Sequence, residues 1–375
     1  MSLPMVAGIE QRDSMRFGVS FLPDVDPGVR SPVDYFRDLI RLSVQAEALG
    51  FHYVKMTEHY LGDYGGYCPS PMMFLSAIAA ATQDIKLMTG GILPVFHHPI
   101  QIASHAGMLD ALSDGRLELG FARGFLPYEY AAFQIPMSES RDRFWTTVDA
   151  VRRLLSSEDV SIRNEYWEFE HATTRPRPRD PAGVRSLVAA STSEESFVRA
   201  GASGMGLMVS PGLTAPSPHL VRAYRGSFVP SGHDAVPRVV VSVPLLVAET
   251  DDEAADAGRP ALEAYIRATS RASESWAHLD EPVSFARYQD MGRWTAGVSA
   301  GAMMLSGAAL VGSPRTVIEQ VLRLDQIYGG IDTLLLQIDY GNLSPDVAST
   351  SVSLFASEVM PALADRLPGA RSRNR

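Results

Sequence analysis

Eight short apolar segments recur along the chain, and most are separated from the next by a stretch whose apolar residues have helical spacing. Strands that are apolar along their whole length are typical of parallel sheets covered by helices on both faces. Eight such units favour a closed (β/α)8 TIM barrel over an open sheet, because closure removes both exposed sheet edges. The predicted strands are Phe17–Leu22, Tyr53–Met56, Ile85–Leu93, Leu117–Phe121, Leu187–Ala190, Gly206–Val209, Val239–Ala248 and Thr333–Gln337.

The predicted barrel is a single α/β domain over residues 15–366 with long insertions. Two stretches exceed ordinary loop length, 167–183 and 273–312, and we interpret both as excursions from the barrel. Residues 1–14 and 367–375 are predicted to be mobile ends. The predicted helices cover residues 32–49, 72–81, 100–112, 140–155, 194–200 and 219–228, with one more after Ser313 and a last one that ends near Leu363.

The charge balance argues against one class of partner. The chain has 33 Lys and Arg against 43 Asp and Glu, a net charge of −10, whereas nucleic-acid binding needs cations that neutralise phosphates. Cys68 is the single cysteine and the N-terminus lacks the pattern of an export signal, so we expect a cytoplasmic protein. The longest uncharged stretch, 294–314, is diluted by glycine and serine, so we expect no membrane span.

Residues directly after the strands are the candidates for a site, because active sites of such barrels lie at the carboxyl ends of the strands. His59 follows the second strand, and an imidazole there suits a proton donor or acceptor. A structural histidine bonded to a neighbour is the equally weighted alternative. Gly90 and Gly91 follow the third strand and let a planar ligand approach the backbone, with a strand bulge as the alternative.

Cationic and hydroxyl groups near the same end predict an anion site. Arg123 follows the fourth strand and Arg141 begins the next helix, and a bound phosphate or carboxylate would explain both. The hydroxyl residues 191–193 follow the fifth strand and lead into a helix, whose N-terminus attracts anions. Surface salt bridges for the arginines and a plain N-cap for the hydroxyls are the alternatives.

The sequence lacks the motifs of metal sites, of nucleotide-binding loops and of nucleophilic cysteines. No predicted helix carries metal ligands at i, i+4, and the adjacent His97 and His98 would point to different sides of an extended segment, so no metal site is expected. The chain has no P-loop and no GxGxxG turn after a strand. Cys68 lacks a nucleophilic context and is expected to pack in the core.

Six segments, in this order, are shared with a known family: AEALGFHYVKMTEHY, HHPIQIASHAGMLDALSDGRLELGFARGF, SESRDRF, LVAASTS, VGSP and LFASEVMPAL. By their order and spacing, the chain resembles the bacterial luciferase-like flavin monooxygenases from about Phe17 to Leu363, with its closest likeness to the luciferase α subunit. The resemblance implies the same (β/α)8 barrel.

The resemblance also implies roles for single residues. His59 matches the catalytic histidine of the family's Glu-His-His motif, which reads Glu-His-Tyr here. Gly90 and Gly91 match a pair that is joined by a non-prolyl cis peptide and faces the isoalloxazine ring. Arg123 and Arg141, together with Ser191, match the groups that hold the flavin phosphate.

Two departures from the family pattern lie near the flavin. Ala122 stands where luciferase has a reactive cysteine, and Ala190 stands where it has a glutamate, which puts the fine tuning of the site and the substrate in question. The complete set of cofactor-binding residues implied by the resemblance is Thr89, Gly90, Gly91, Ala122, Arg123, Arg141, Val188, Ala190, Ser191, Thr192 and Ser193.

The resemblance implies a two-component monooxygenase. A separate NAD(P)H:flavin reductase would supply reduced FMN. Reduced FMN would react with O2 to give a C4a-(hydro)peroxyflavin. This species would oxygenate a small apolar or aromatic substrate by hydroxylation or Baeyer–Villiger insertion. His59 would handle the proton, the 273–312 segment would act as a lid, and the chain would pair as a homodimer through helices near the second and third strands. The predicted substrate-binding residues are Tyr60, Phe96, Phe125, Tyr128 and Trp294.

Two alternatives stay open. One is a deazaflavin-dependent oxidoreductase on the same barrel, which transfers hydride and needs no oxygen. The other is a non-catalytic barrel like the luciferase β subunit. The phosphate set around Arg123 favours FMN over the first, and His59 together with both arginines argues against the second.

Overall fold

The computed structural model describes residues 14–25, 28–190, 193–211, 218–278 and 297–367, so most of the predicted mobile ends lie outside the described residues. The strands are β1 Arg16–Phe21, β2 Tyr53–Met56, β3 Lys86–Thr89, β4 Leu117–Ala122, β5 Val160–Arg163, β6 Glu168–Ala172, β7 Ser186–Ala189, β8 Gly206–Val209, β9 Val239–Val247, β10 Leu310–Gly312 and β11 Thr333–Gln337. The helices are α1 Pro32–Ala48, α2 Pro71–Ala81, α3 Pro99–Leu112, α4 Pro127–Ala132, α5 Ser140–Ser156, α6 Glu194–Ala202, α7 Pro218–Ser227, α8 Asp251–Glu274, α9 Ala300–Ser306, α10 Pro314–Tyr328, α11 Pro345–Leu354 and α12 Met360–Arg366.

Eight parallel strands close into a barrel. Strands β1, β2, β3, β4, β7, β8, β9 and β11 pair in that order, and β11 pairs with β1 to complete the ring. At the seam, Gly18 of β1 lies opposite Leu335 on one side and Tyr53 on the other. With helices in the connections between strands, the predicted (β/α)8 TIM barrel is confirmed.

Alternation of side chains along the strands produces two apolar layers. A small cluster inside the barrel contains Tyr53, Met88, Leu187, Met208, Val240 and Leu335. Except on β3, where it is Thr89, the next residue along each strand belongs instead to the large cluster between the sheet and the helices, as Val54 and Val188 do. Strand β9 is buried at all nine positions, as expected for a strand covered on both faces.

Helix α8 is the largest element absent from the sequence-based prediction. A reciprocal capping box starts it, since Thr250 Oγ1 accepts a hydrogen bond from Glu253 N and Glu253 Oε2 accepts one from Thr250 N, both at 3.2 Å. The helix runs for 24 residues and contacts the segment directly after β11. At that contact Gly341 has φ 59°, and a Cβ there would lie 1.8 Å from Ala261 O. The second half of α8 therefore lies at the carboxyl ends of the strands.

The two predicted excursions contain regular structure. A hairpin of β5 and β6 precedes and overlaps the 167–183 segment, with Ile162 opposite Phe169. Of the 273–312 segment, residues 279–296 lie outside the described residues. The remainder contains α9 and β10, and β10 pairs in parallel with the last three residues of β9. Residues 297–312 are thus tied to the barrel by a strand.

One helical stretch, Pro345–Arg366, is long and apolar enough to cross a membrane by length and composition alone. It passes through a π-helical turn at Phe355–Val359. Its side chains Val352, Phe355 and Val359 are completely buried in the outer layer, which accounts for the apolar composition of this stretch.

Candidate active site

A cavity of about 250 Å³ opens at the carboxyl ends of the barrel strands. It lies where the fold places active sites, and nearly every strand contributes a residue at or just beyond its end. The polar side chains of the lining are Lys55, Thr57, Glu58, His59, Tyr64, Arg123, Ser193, Ser196, Ser210, Ser242, Tyr265, Thr269 and Gln337. The glycines and alanines are Gly90, Gly91, Ala122, Gly124, Ala189 and Ala190, and the larger apolar residues are Leu22, Leu93, Phe125, Met208 and Val209.

His59 is buried in the cavity wall and is held by a carboxylate. Its Nδ1 lies 3.1 Å from Oε1 of Glu129, a side chain of α4 that has no solvent exposure. A carboxylate only accepts hydrogen bonds, so Nδ1 carries the proton in this contact. The same oxygen accepts the Tyr60 N–H at 2.8 Å. Within the described residues, Nε2 makes no protein hydrogen bond and is therefore the ring nitrogen left for a ligand.

Aromatic rings fix the plane of the His59 imidazole. Tyr64 lies 5.2 Å away between ring centroids, and Phe125 meets the imidazole edge-on at 6.0 Å. Gly65 has φ 74° and leaves room for the ring, since a Cβ there would lie 2.7 Å from His59 Cδ2. The imidazole is thus restrained on several sides before any ligand binds.

Glu58 forms a second polar centre behind the histidine. Its Oε1 accepts hydrogen bonds of 2.6 Å from both Tyr60 Oη and His97 Nε2, and its Oε2 accepts one of 3.1 Å from Leu93 N. Burial together with Glu58 raises the pKa of Tyr60 above its usual range. The Tyr60 hydroxyl is therefore a donor that supports Glu58, and Tyr60 is not among the residues that line the cavity.

The peptide between Gly90 and Gly91 is cis, which is the geometry that the resemblance implies at this pair. Both residues line the cavity beside Ala122. A Cβ at Gly91 would lie 2.7 Å from Ala122 N, so only glycine fits against β4. Gly90 O accepts a hydrogen bond of 3.1 Å from Thr57 Oγ1, which in turn accepts one of 2.6 Å from Lys55 Nζ.

The predicted anion site gathers at one end of the cavity. Arg123 and Ser193 line it, and Arg141 Nη2 donates to Ser193 Oγ at 3.4 Å. Arg141 does not itself line the cavity and forms an ion pair with Glu195 in the first turn of α6. Its Nε is buried and has no partner within the described residues. Ser191 and Thr192 lie outside the described residues.

Several residues predicted for the site do not reach the cavity. Thr89 and Val188 point out of the barrel because the strand alternation directs their neighbours Met88 and Leu187 inwards. Thr89 Oγ1 bonds the β4 backbone at Gly120. Of the other residues predicted to bind the substrate, Phe125 lines the cavity. Phe96 stacks on Phe133 instead, and the hydroxyl of Tyr128 is buried away from the lining. Trp294 lies outside the described residues.

Three groups of functional residues escaped the sequence analysis. Glu129 lies 70 residues from His59 in sequence, and nothing in its local pattern marks it. Lys55 had a signal, a single charge inside an apolar strand. Tyr265 and Thr269 are on α8, which was itself not predicted. Tyr265 extends the aromatic wall, with its ring 6.4 Å from that of Tyr64.

Comparison with known proteins finds relatives that match most of the chain. The chain is 27% identical to 4-hydroxyprotoasukamycin monooxygenase of Streptomyces nodosus subsp. asukaensis over 372 residues, which covers 95% of the chain and 94% of that protein. The crystal structure of monooxygenase RslO1 from Streptomyces bottropensis superposes with a TM-score of 0.77 at 32% identity, covering 93% of this chain and 99% of that one.

A second solved structure is the oxygenating constituent of 3,6-diketocamphane monooxygenase from Pseudomonas putida, a type II Baeyer–Villiger monooxygenase in complex with FMN. Its TM-score is 0.75 at 23% identity, covering 93% of this chain and 98% of that one, and it supports the fold.

Two F420-dependent glucose-6-phosphate dehydrogenases match part of the chain. The one from Amycolatopsis mediterranei is 28% identical and covers 42% of this chain and 50% of its own length. The one from Intrasporangium calvum is 33% identical and covers 40% of this chain and 47% of its own length. The sequence profile described as luciferase-like monooxygenase matches residues 15–329. The chain belongs to the luciferase-like monooxygenase family.

Proposed function

We propose that this chain is the oxygenase component of a two-component, FMN-dependent monooxygenase. The observation that carries the proposal is one cavity that combines a carboxylate-held histidine, a flat glycine wall and a cationic end. A planar ring with a phosphate tail matches those three parts. Reduced FMN, when bound, would supply the two electrons that activate O2.

The residues present fit an FMN-sized anion. Gly90 and Gly91 would take the ring face, because both line the cavity while the positions of their missing side chains are already filled by Lys55 and by the β4 backbone. Arg123, Arg141 and Ser193 would hold the phosphate, and the buried Arg141 Nε is a donor that still needs an acceptor. Charge-assisted bonds of this kind are the strong ones in phosphate recognition.

His59 would hold or move a proton at Nε2. Glu129 fixes the Nδ1–H tautomer, so Nε2 presents its lone pair to the cavity and can accept a proton there. The aromatic neighbours Tyr64 and Phe125 shield this nitrogen from water. His59 is the catalytic residue of the proposal, and Glu129 is the residue that positions it.

The apolar part of the cavity lining favours an apolar or aromatic substrate. Leu93, Phe125, Val209 and the rings of Tyr64 and Tyr265 contribute apolar surface to the cavity. Burial raises the pKa of both tyrosines well above the usual range, so their hydroxyls stay neutral. Hydroxylation and Baeyer–Villiger insertion are both compatible with such a wall.

A mixing experiment tests the proposal without knowledge of the organic substrate. The protein would be loaded anaerobically with photoreduced FMN and mixed with aerated buffer, while the absorbance of oxidised FMN is followed. We expect a return of oxidised FMN that is slower than for free reduced FMN, because the site holds the oxygenated state away from water. A return as fast as without protein would overturn the proposal. Tighter binding of F420 than of FMN would favour the deazaflavin alternative suggested by the F420-dependent relatives.

We also infer a homodimer that pairs through α2 and α3. These helices pack side by side, and α2 contains no charged residue. Met73 of α2 and Met108 and Leu112 of α3 have 76%, 55% and 56% of their surface exposed. Exposed apolar side chains on two neighbouring helices favour an interaction surface, and the family resemblance favours a second copy as its partner. Sedimentation should show a dimer that Met73→Asp weakens, and a monomeric wild-type protein would contradict the inference.

A further inference from the structure

A lysine lies in the cavity wall beside the glycine pair. Lys55 is the third residue of β2, is 5% exposed, and lines the cavity. Its side chain lies directly against Gly90, where a Cβ would be 2.1 Å from Lys55 Cε. The ammonium donates to Thr57 Oγ1 at 2.6 Å, and Thr57 donates to Gly90 O. The ammonium is therefore linked through Thr57 to the glycine pair that would face a flavin ring.

Within the described residues, no carboxylate forms an ion pair with Lys55. Burial lowers the pKa of Lys55 to about 8, an effect that Asp339 only partly opposes. Asp339 is itself held by other groups, since it accepts hydrogen bonds from Tyr35 Oη at 2.6 Å and Leu22 N at 3.3 Å. A buried charge is costly unless it is paired, and this lysine lines the ligand cavity. The arrangement thus calls for an anion.

We propose that Lys55 is the residue that makes the cavity select reduced over oxidised flavin, by acting as the counter-charge of the anionic reduced ring. The proposal rests on the proposed function in one respect, that a flavin binds against Gly90 and Gly91. The oxidised ring is neutral, whereas the two-electron-reduced ring carries a negative charge near neutral pH. The flavin phosphate is anionic in both forms, so Arg123 and Arg141 do not discriminate between them.

The test compares two affinities in one protein. The dissociation constants of oxidised and of anaerobically reduced FMN would be measured for the wild type and for Lys55→Met, which keeps the length of the side chain without its charge. We expect the wild type to bind reduced FMN at least tenfold more tightly than oxidised FMN. Lys55→Met should lose about tenfold of that ratio, with the affinity for oxidised FMN within about threefold of wild type. Each tenfold preference for the reduced form raises the potential of the bound flavin by about 30 mV for a two-electron couple, so Lys55→Met should lower that potential by about 30 mV.

Arg141→Met is the matched control, because it should weaken both redox forms by a similar factor. Lys55→Gln provides a second neutral variant, and the far-ultraviolet circular dichroism of both would establish that they fold. An unchanged ratio, or equal weakening of both forms in Lys55→Met, would overturn the role of Lys55 while leaving the proposed function intact. Failure of the wild type to bind either form would overturn both.

Discussion

The contact between Glu129 and His59 leads to a prediction that separates positioning from proton transfer. Glu129→Gln keeps an oxygen where Oε1 now accepts from His59 Nδ1 at 3.1 Å and from Tyr60 N at 2.8 Å. The variant removes only the charge, since the amide group takes the place of Oε2, which has no partner within the described residues. The fold should therefore survive, with a stability loss of at most about 1–3 kcal/mol for a buried donor without an acceptor.

The size of the effect follows from the type of hydrogen bond. A bond to a charged group contributes about 1.5–3 kcal/mol and a neutral one about 0.5–1.5 kcal/mol, so the variant loses about 1–1.5 kcal/mol of the restraint on His59. If that difference acts on the reacting state, a rate changes about five- to fifteenfold. We expect oxidised FMN to return about tenfold faster after reduced FMN in the protein is mixed with O2.

Two comparisons make the result specific. In the His59→Ala background, Glu129→Gln should change the rate by less than about twofold, because Glu129 acts through the imidazole. Glu158→Gln, an exposed carboxylate beyond the carboxyl end of α5, is the matched control and should leave the rate unchanged. The reasoning is refuted if Glu129→Gln matches the wild type, or if it accelerates the return equally with and without His59.

Three further predictions follow from the site and its surroundings. His59→Ala should abolish the delay in the return of oxidised FMN while the dissociation constant for FMN stays within about threefold of wild type, since the imidazole is assigned to the proton; a preserved delay would refute this role. Arg141→Met should weaken FMN about tenfold and leave riboflavin, which lacks the phosphate, unaffected in a fluorescence titration; equal losses would exclude a phosphate contact. Burial raises the pKa of Asp339 to about 6 from an ordinary 3.8, so the folded state binds this proton more tightly and stability falls as pH rises between these values. In urea titrations the advantage of Asp339→Asn over the wild type should therefore grow by about 3 kcal/mol from pH 3 to pH 7 and stay constant above, and a constant difference would contradict the shift.

The eight barrel strands were predictable because strands that are buried on both faces consist almost entirely of apolar residues. Strand β9, with nine buried residues, shows this most clearly. Helix α8 was not predicted, although Thr250 and Glu253 have capping-box spacing, because the strongly apolar strand directly before it dominates the local sequence pattern. The hairpin of β5 and β6 is more exposed and carries no such trace.

Within the candidate site, sequence position identified which strand ends matter but not which side chains turn inwards. Thr89 and Gly90 are adjacent, yet one bonds the neighbouring strand and the other lines the cavity. The Glu129 contact joins helix α4 to the loop after β2 across 70 residues, and no local pattern encodes such a distance. Lys55 was visible as a lone charge in an apolar strand, but its significance depends on Gly90, which only the folded barrel places beside it.

The ion pair between Arg141 and Glu195 has a consequence for ligand exchange. A phosphate that binds the guanidinium at Nη1 competes with this carboxylate, so its net binding energy at that nitrogen is the difference between two ion pairs and not the whole of one. Without a ligand, Glu195 thus competes with any phosphate for Arg141. Such competition keeps the arginine oriented without a ligand and shortens the residence time of any phosphate bound there, which is the behaviour that the proposed exchange of flavin with a separate reductase would require.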